Sequence, residues 1–410
     1  MIVLVHPTGN ANVRAVLDAM DEANLLERFA TTIAFSRRSH PLLSERIRGR
    51  LRRNYSLPDE KIDIHPLRES VRLMAGAVGL SGLTKHETGW ASLDQVFRSL
   101  DREVARRLRR HCYGKSVRGV YSYEDCALQS FETAQSLNLR RIYDLPIAYW
   151  KTARKLLQEE AERYPDWEPT LGGTRDSQEK LDRKTRELEL ADLVICPSRF
   201  VFESIPEEVR AAKKCLSIPF GSPVVADDAE PSAASKGKFR VLFAGAMTQR
   251  KGLADVFAAM NFLASAEVEL VVMGSLIQPL EWYERRCPGF RYEPPRPHDE
   301  FLQLMKTCHA LVLPSIVEGR ALVQQEAMAC GIPVIATPNA GADDVIEDGR
   351  TGFLVPIRSP EKIAEKISWM VAHREEATGM GIAAQARARE LTWRSYGQAV
   401  MHAVRQVINE

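Results

Sequence analysis

The sequence has 410 residues, 56 Lys and Arg against 54 Asp and Glu, a formal net charge of +2, and 45% hydrophobic residues. That length exceeds a single core and calls for two domains, while the balance of charge and apolar content excludes a disordered chain and a whole-molecule polyanion binder. No apolar run reaches membrane-spanning length, and the seven cysteines, with no Cys-x-x-Cys pair or zinc spacing, exclude a disulfide frame and point to a reducing compartment.

Short β-rich runs alternate with longer amphipathic stretches, the pattern of a parallel sheet wrapped by helices. A strand is expected at 2–5, starting at once with no basic n-region or cleavage signal, so the expected location is cytoplasmic. His6-Pro-Thr8-Gly9-Asn10 then leads into a helix carrying Val13, Val16, Leu17 and Met20. Such a turn suits either contact with an acceptor or phosphate through Gly9, with Asn10 as N-cap, or a plain capped connection. Further strands are expected at 31–35, 62–65, 119–122, 141–144, 193–197 and 215–218.

Two arginine-rich stretches interrupt this rhythm. Arg46, Arg48, Arg50, Arg52 and Arg53 form one, and Arg102, Arg106, Arg107, Arg109 and Arg110 the other, beside an apolar helix stripe of Val96, Leu100, Val104 and Leu108. The second set takes the wet face of its helix, which fits a solvated surface first and a peripheral contact with anionic membrane, at the inner face, or a lipid-diphosphate acceptor second. Few aromatics interleave, so no nucleic acid is expected as a partner. The apolar, glycine-containing stretch 73–83 reads equally as a mobile acceptor loop or as packed core.

A linker is expected at 226–238, where charged and small residues show no apolar period. Beyond it strands are expected at 239–243, 268–273, 310–313, 333–336 and 352–355, with helices at 252–264, 298–308, 322–329 and 360–373. The tail keeps helical spacing through Trp393, Tyr396, Val400, Val404 and Val407, and 393–410 is assigned as a helix packing back on the first domain. The fold class is therefore α/β, with two doubly wound Rossmann-like domains, 1–225 and 239–392, facing across a cleft at the carboxyl ends of their sheets.

Two strand-to-helix turns of the second domain carry chemistry. Phe243-Ala-Gly245-Ala-Met-Thr-Gln-Arg250-Lys251-Gly252 places two cations at a helix start. There they oppose the helix dipole, so an anion such as a diphosphate justifies them better than solvent does. The run Pro314–Gly331 turns at Glu318-Gly319 and continues as a helix bearing Glu326. A helix N-terminus flanked by two carboxylates, with a glycine permitting close backbone approach, suits a sugar nucleotide: phosphate on the amides, hydroxyls on the acids. No Asp-x-Asp occurs, so no metal is expected and Arg250, Lys251 and the helix terminus are left to hold the charge.

Arg250-Lys251-Gly252, Pro314-Ser315 through Glu318-Gly319, Glu326-Ala-Met-Ala-Cys-Gly331, Pro333-Val-Ile-Ala336, Val345-Ile-Glu-Asp-Gly349 and Gly352-Phe-Leu-Val355 occur in order at spacings that resemble the retaining, GT-B-fold glycosyltransferases of family 4, the group 1 glycosyltransferases. The likeness is dense over 239–358 and diffuse before it, where Ala191-Asp-Leu-Val-Ile-Cys-Pro-Ser198 and Ile218-Pro-Phe-Gly221 resemble the last two strands of the family's first domain. The resemblance implies a nucleotide-diphosphate sugar on the second domain. Glu326 would bond the ribose, Arg250 and Lys251 the diphosphate, and Glu318 a hydroxyl of the transferred sugar. The amides of Arg320, Ala321 and Leu322 would face phosphates or sugar, with Gly245 beside them and Arg296 near the base.

Two departures stand out. Ala246 follows Gly245 where many relatives carry Arg, with Arg250 as the substitute. The His that many relatives place after a first-domain strand is absent, leaving Tyr143, Asp144 or the Tyr121–Asp125 stretch with Glu124 for that wall. The implied reaction is metal-independent, retaining hexosyl transfer to a hydroxyl of a saccharide, lipid-linked saccharide or small molecule, with no cofactor. The alternatives are a sugar-nucleotide epimerase or hydrolase on the same fold and a non-catalytic sugar-nucleotide scaffold.

Overall fold

The computed structural model describes residues 1–35, 53–223 and 237–409; residues 226–236 of the expected linker and Arg46, Arg48, Arg50 and Arg52 lie outside these. Seven strands form the first sheet: β1 Ile2–Val5, β2 Leu26–Thr31, β3 Ile62–Ile64, β4 Gly119–Tyr123, β5 Arg140–Asp144, β6 Leu193–Cys196 and β7 Lys214–Ser217. Six form the second: β8 Phe239–Ala244, β9 Val268–Met273, β10 Arg291–Glu293, β11 Ala310–Leu313, β12 Val334–Ala336 and β13 Gly352–Leu354. Every pairing between these strands is parallel, in the orders β3-β2-β1-β4-β5-β6-β7 and β10-β9-β8-β11-β12-β13. The chain is thus α/β with two doubly wound sheets.

Side-chain alternation decides the layers. In β1, Ile2 and Leu4 join one core with Val13, Val16 and Tyr121, while Val3 and Val5 join another with Leu100, Val104 and Phe131. The last helix, Trp393–Asn409, lays Tyr396, Val400, Val404 and Val407 into the first of these cores, and Gly397 lets it close on the helix Ala11–Glu22, since a Cβ there would overlap the Ala15 carbonyl. Trp167 belongs to the core of the second sheet, against Phe257, Trp282 and Tyr283.

The first domain's second strand runs over 26–31, where 31–35 was expected. Leu26, Phe29, Ala30 and Thr31 are buried, but the half-exposed Glu27 and Arg28 break the apolar run that marks a strand in sequence. β10 is a three-residue edge strand whose charged residues carry no such signal. The stretch 73–83 is not packed core: it continues the helix Leu67–Ala77 into a turn and the short helix Ser81–Thr84, with Leu73 and Met74 in solvent. Among the described residues no helix is long and apolar enough to cross a membrane.

Candidate active site in the cleft between the two sheets

A doubly wound sheet opens a crevice where its strand order reverses. In the first sheet that point lies between β1 and β4, so residues 6–10 and 124–127 border it; in the second it lies between β8 and β11, bordered by 245–251 and 314–321. The topology brings together turns that are distant in sequence, and most of the candidate residues sit on them.

The second-sheet turns meet in an ion triad. Lys251 Nζ and Arg250 Nη1 both donate to Glu318 Oε2, the latter at 3.2 Å, and Arg250 Nη1 also reaches the Val317 carbonyl at 3.0 Å. The two turns are further tied by the Ile316 amide donating to the Arg250 carbonyl at 2.9 Å. Gly252, at φ +76°, permits this approach, because a Cβ would overlap the Pro314 carbonyl oxygen. Burial works to raise the Glu318 carboxyl, yet Lys251 and Arg250 outweigh it and hold it below the usual carboxylate range. Burial lowers Lys251, with Arg250 adding to the effect and Glu318 opposing it. Two cations share one anion, so the half-buried cluster keeps one unit of positive charge in excess.

Gln249 positions this cluster. Its amide donates to Thr170 Oγ1 at 3.1 Å, its Nε2 to Glu160 at 2.6 Å and Asp255 at 2.9 Å, and its Oε1 accepts from the Ala254 amide at 2.9 Å. Gly245, at φ +147°, lies beside the Lys251 stem.

A cavity of about 1010 Å³ lies between the halves, lined from the first by Gly9, Asn10, Arg53, Tyr123 and Pro146 and from the second by His298, Arg320, Leu322 and Glu326; Arg250, Lys251 and Glu318 do not line it, and the link to them runs through Gly319, which packs on Pro146 between Glu318 and Arg320. Glu326 faces His298 Nδ1 at 3.7 Å; burial raises its carboxyl, with His298 opposing. The helix Leu322–Ala329 has no side-chain cap, so its N-terminus opens on the cavity beside Leu322. The Ala321 amide, however, donates to the Ala340 carbonyl at 3.2 Å and is not free for a phosphate. The Arg320 guanidinium is occupied by the Pro197 carbonyl at 2.5 Å, the Gly341 carbonyl at 2.9 Å and Asp344; burial pulls it down to about 10. Gly319 makes room for the first half: a Cβ there would overlap the Pro146 carbonyl oxygen, and Ser198 Oγ donates to the Gly319 carbonyl at 2.6 Å. Arg296 pairs with Glu293 and does not line the cavity.

The first-half candidates separate. Gly9, at φ +62°, lines the cavity and owes its conformation to His6, whose Nδ1 accepts from the Thr8 and Gly9 amides at 3.1 and 2.8 Å. Burial, with Arg53 adding to it, pushes His6 down to about 3, so the ring is a neutral acceptor for those amides. Asn10 stands at the N-cap position, yet its side chain accepts from Thr8 Oγ1 at 3.1 Å and does not cap the helix. Tyr143 points into the core and donates to Glu187 at 3.1 Å. Glu124 is buried against Lys184 at 3.2 Å. Asp144 is buried at the end of β5, accepts from Tyr121 Oη at 3.1 Å, and is pushed up to about 7 by burial. These three do not line the cavity; Tyr123, their neighbour in sequence, does.

Sequence reasoning missed His298, Arg53 and Ser198 as cleft residues. Ser198 ends the quoted Ala191–Ser198 motif and so lay within reach; His298 and Arg53 carry no local signal and reach the cavity only through the tertiary path.

Residues 238–373 match the family described as "Glycosyl transferases group 1". The chain is 28% identical over 187 residues to an alpha-maltose-1-phosphate synthase of Mycolicibacterium smegmatis, covering 41% of this chain and 48% of the relative. It is 26% identical over 182 residues to a D-inositol 3-phosphate glycosyltransferase of Paenarthrobacter aurescens, covering 42% and 45%. The chain thus spans about half the length of these curated relatives. Among solved structures, a sucrose-phosphate synthase of Thermosynechococcus elongatus superposes with a TM-score of 0.68 at 18% identity, covering 100% of this chain and 99% of the other. Anabaena HepE, solved in complex with UDP-glucose, superposes at 0.62 with 16% identity and 99% of each chain covered. These superpositions establish the architecture as GT-B.

Proposed function

Because residues 238–373 form a group 1 glycosyltransferase domain on a GT-B fold, we propose that this protein moves a sugar from a nucleotide-diphosphate donor to an acceptor hydroxyl, with retention of configuration and without a divalent metal. The observation that carries the reading is the Lys251–Glu318–Arg250 triad at the second sheet's switch point, two residues along the chain from Arg320, which lines the cavity with Glu326. UDP-glucose in the complex of the Anabaena relative supports a sugar nucleotide as donor.

In this mechanism the donor diphosphate draws Lys251 and Arg250 toward its oxygens, and the uncapped end of Leu322–Ala329 adds its partial positive charge. The bond from the anomeric carbon to the phosphate oxygen breaks as the bond to the acceptor oxygen forms on the same face. The departing phosphate oxygen takes the acceptor's proton. Glu318, freed from sharing both cations, bonds a sugar hydroxyl and favours positive charge at the anomeric carbon, while Glu326 accepts from the ribose hydroxyls. Among the described residues the cavity lining offers a single carboxylate, Glu326, which supports protein cations as the counter-charge instead of a metal.

Thermal shift against UDP-, GDP-, ADP- and dTDP-glucose tests the donor. The recognised one at 100 times its Kd adds about 2.7 kcal/mol of stability. With that donor, the expected product retains the anomeric configuration by NMR, and EDTA leaves the rate unchanged. An inverted product, or activity abolished by EDTA and restored by a divalent ion, refutes the proposal.

A further inference from the structure

Thirteen large hydrophobic side chains are exposed among the described residues, and nine of them fall within 64–93, so these exposed apolar side chains are concentrated in one stretch of chain. The helix Leu67–Ala77 and the turn and short helix after it supply most of it. Leu67, Met74 and Val78, at seven- and four-residue spacing, make one stripe and are 64%, 59% and 68% exposed. Leu80, Trp90 and Leu93 are exposed beyond the helix around the turn at 83–91, which is tightened by the Gly89 amide on the Lys85 carbonyl and the Ala91 amide on the Leu83 carbonyl. The helix is inverted for a water-facing element: its carboxylate, Glu69, is buried inward between Arg53 and Arg72, and its large apolar residues face out.

Arg68, Lys85 and Arg102 border the patch, while the acids on its turn side, Glu87 and Asp176, are taken up by His86, Ser177 and Lys180. Arg68 lies over the Trp90 ring, 4.6 Å from its centroid, and within electrostatic reach of Arg102. Neither of these, nor Lys85, has a carboxylate partner among the described residues. The arginines further along the helix Leu93–Arg109 differ: Arg106 and Arg107 are held by Glu103, and Arg107 also by Asp63. Cations left unpaired around an exposed apolar stripe complement an anionic lipid surface, with side chains entering the acyl boundary and the charges meeting phosphate headgroups.

We propose that the face formed by residues 64–93 seats this protein on an anionic lipid bilayer. Glu69 connects that face to the cleft: it pairs from the inner side of the same helix with Arg53, which lines the cavity.

The test uses the full chain and vesicles of phosphatidylcholine alone or with about 30% phosphatidylglycerol. Sedimentation with the anionic vesicles and not the neutral ones is expected. The triple variant Leu67→Ser, Met74→Ser, Val78→Ser should lose the vesicle-bound fraction. The double variant Lys85→Glu, Arg102→Glu should weaken binding about tenfold or more. Both should keep the donor-induced thermal shift, so failure here leaves the donor-site reading standing. No sedimentation of the wild type, or equal sedimentation of the triple variant, overturns the proposal. So does light scattering that shows wild-type dimers lost in the triple variant, because the patch would then be covered by a second copy.

Discussion

The turns at the two switch points hold polar residues of the same kinds but use them in opposite ways. In the second sheet, Arg250, Lys251 and Glu318 neutralise one another across two turns, half-buried at the cleft and with positive charge left over. In the first, Glu124, Tyr143 and Asp144 sit equally near their strand ends, yet each is buried and occupied: Lys184 holds Glu124, Glu187 holds Tyr143, and Tyr121 meets Asp144. A polar residue just past a parallel strand is thus not sufficient for a site. The cluster it joins must also keep a charge that its own domain leaves uncompensated, as two cations on one carboxylate do.

Variants can break this contrast. The largest effect is expected from Lys251→Ala, which removes a cation from the leaving group and should lower kcat by about a thousandfold with unchanged circular dichroism; a rate within tenfold of wild type would sink the triad's role. Gly319→Ala forces the turn away from the Pro146 carbonyl and misaligns the halves, so kcat/KM should fall about a hundredfold while each domain stays folded. On the proposed donor reading, Glu326→Gln weakens the bond to the ribose hydroxyls and should raise the donor KM about tenfold with kcat little changed.

The first-half residues are expected to affect stability alone. Tyr143→Phe deletes the bond to Glu187 and should cost about 1 kcal/mol in urea unfolding, with KM and kcat unaltered. Asp144 predicts a pH dependence. Its folded pKa of about 7 lies above the unfolded value, so the folded state binds the extra proton. Its contribution to stability is present at low pH and is lost as pH rises from about 4 to about 7. Asp144→Asn removes that dependence: its Tm relative to wild type should climb between pH 5 and pH 8 and level off above. A changed donor KM in either variant would return these residues to the cleft and erase the contrast.

The first domain's weaker legibility has a physical origin. In β2 the adjacent Glu27 and Arg28 hide a strand that is buried at Leu26, Phe29 and Ala30. In the helix Leu67–Ala77 an apolar period is present but points outward, and periodicity alone cannot say on which side of a helix the solvent lies. The convergence of the turns carrying Arg250, Lys251 and Glu318 was legible because its requirements are local: a strand end, a glycine, two cations and a carboxylate within short runs.

The sequence by itself therefore determined the two parallel α/β halves, through alternating apolar periods, and singled out the two turns that bring Arg250, Lys251 and Glu318 together, through a glycine and charged residues just past strand ends. Only the tertiary structure decided that Gly319 serves the contact with Pro146, that the Arg320 guanidinium braces both halves, and that His298 and Arg53 join Glu326 around one cavity. The reason is that partner and burial are properties of the packed chain: the same carboxylate is a ligand group or a core brace according to what the opposite layer places beside it.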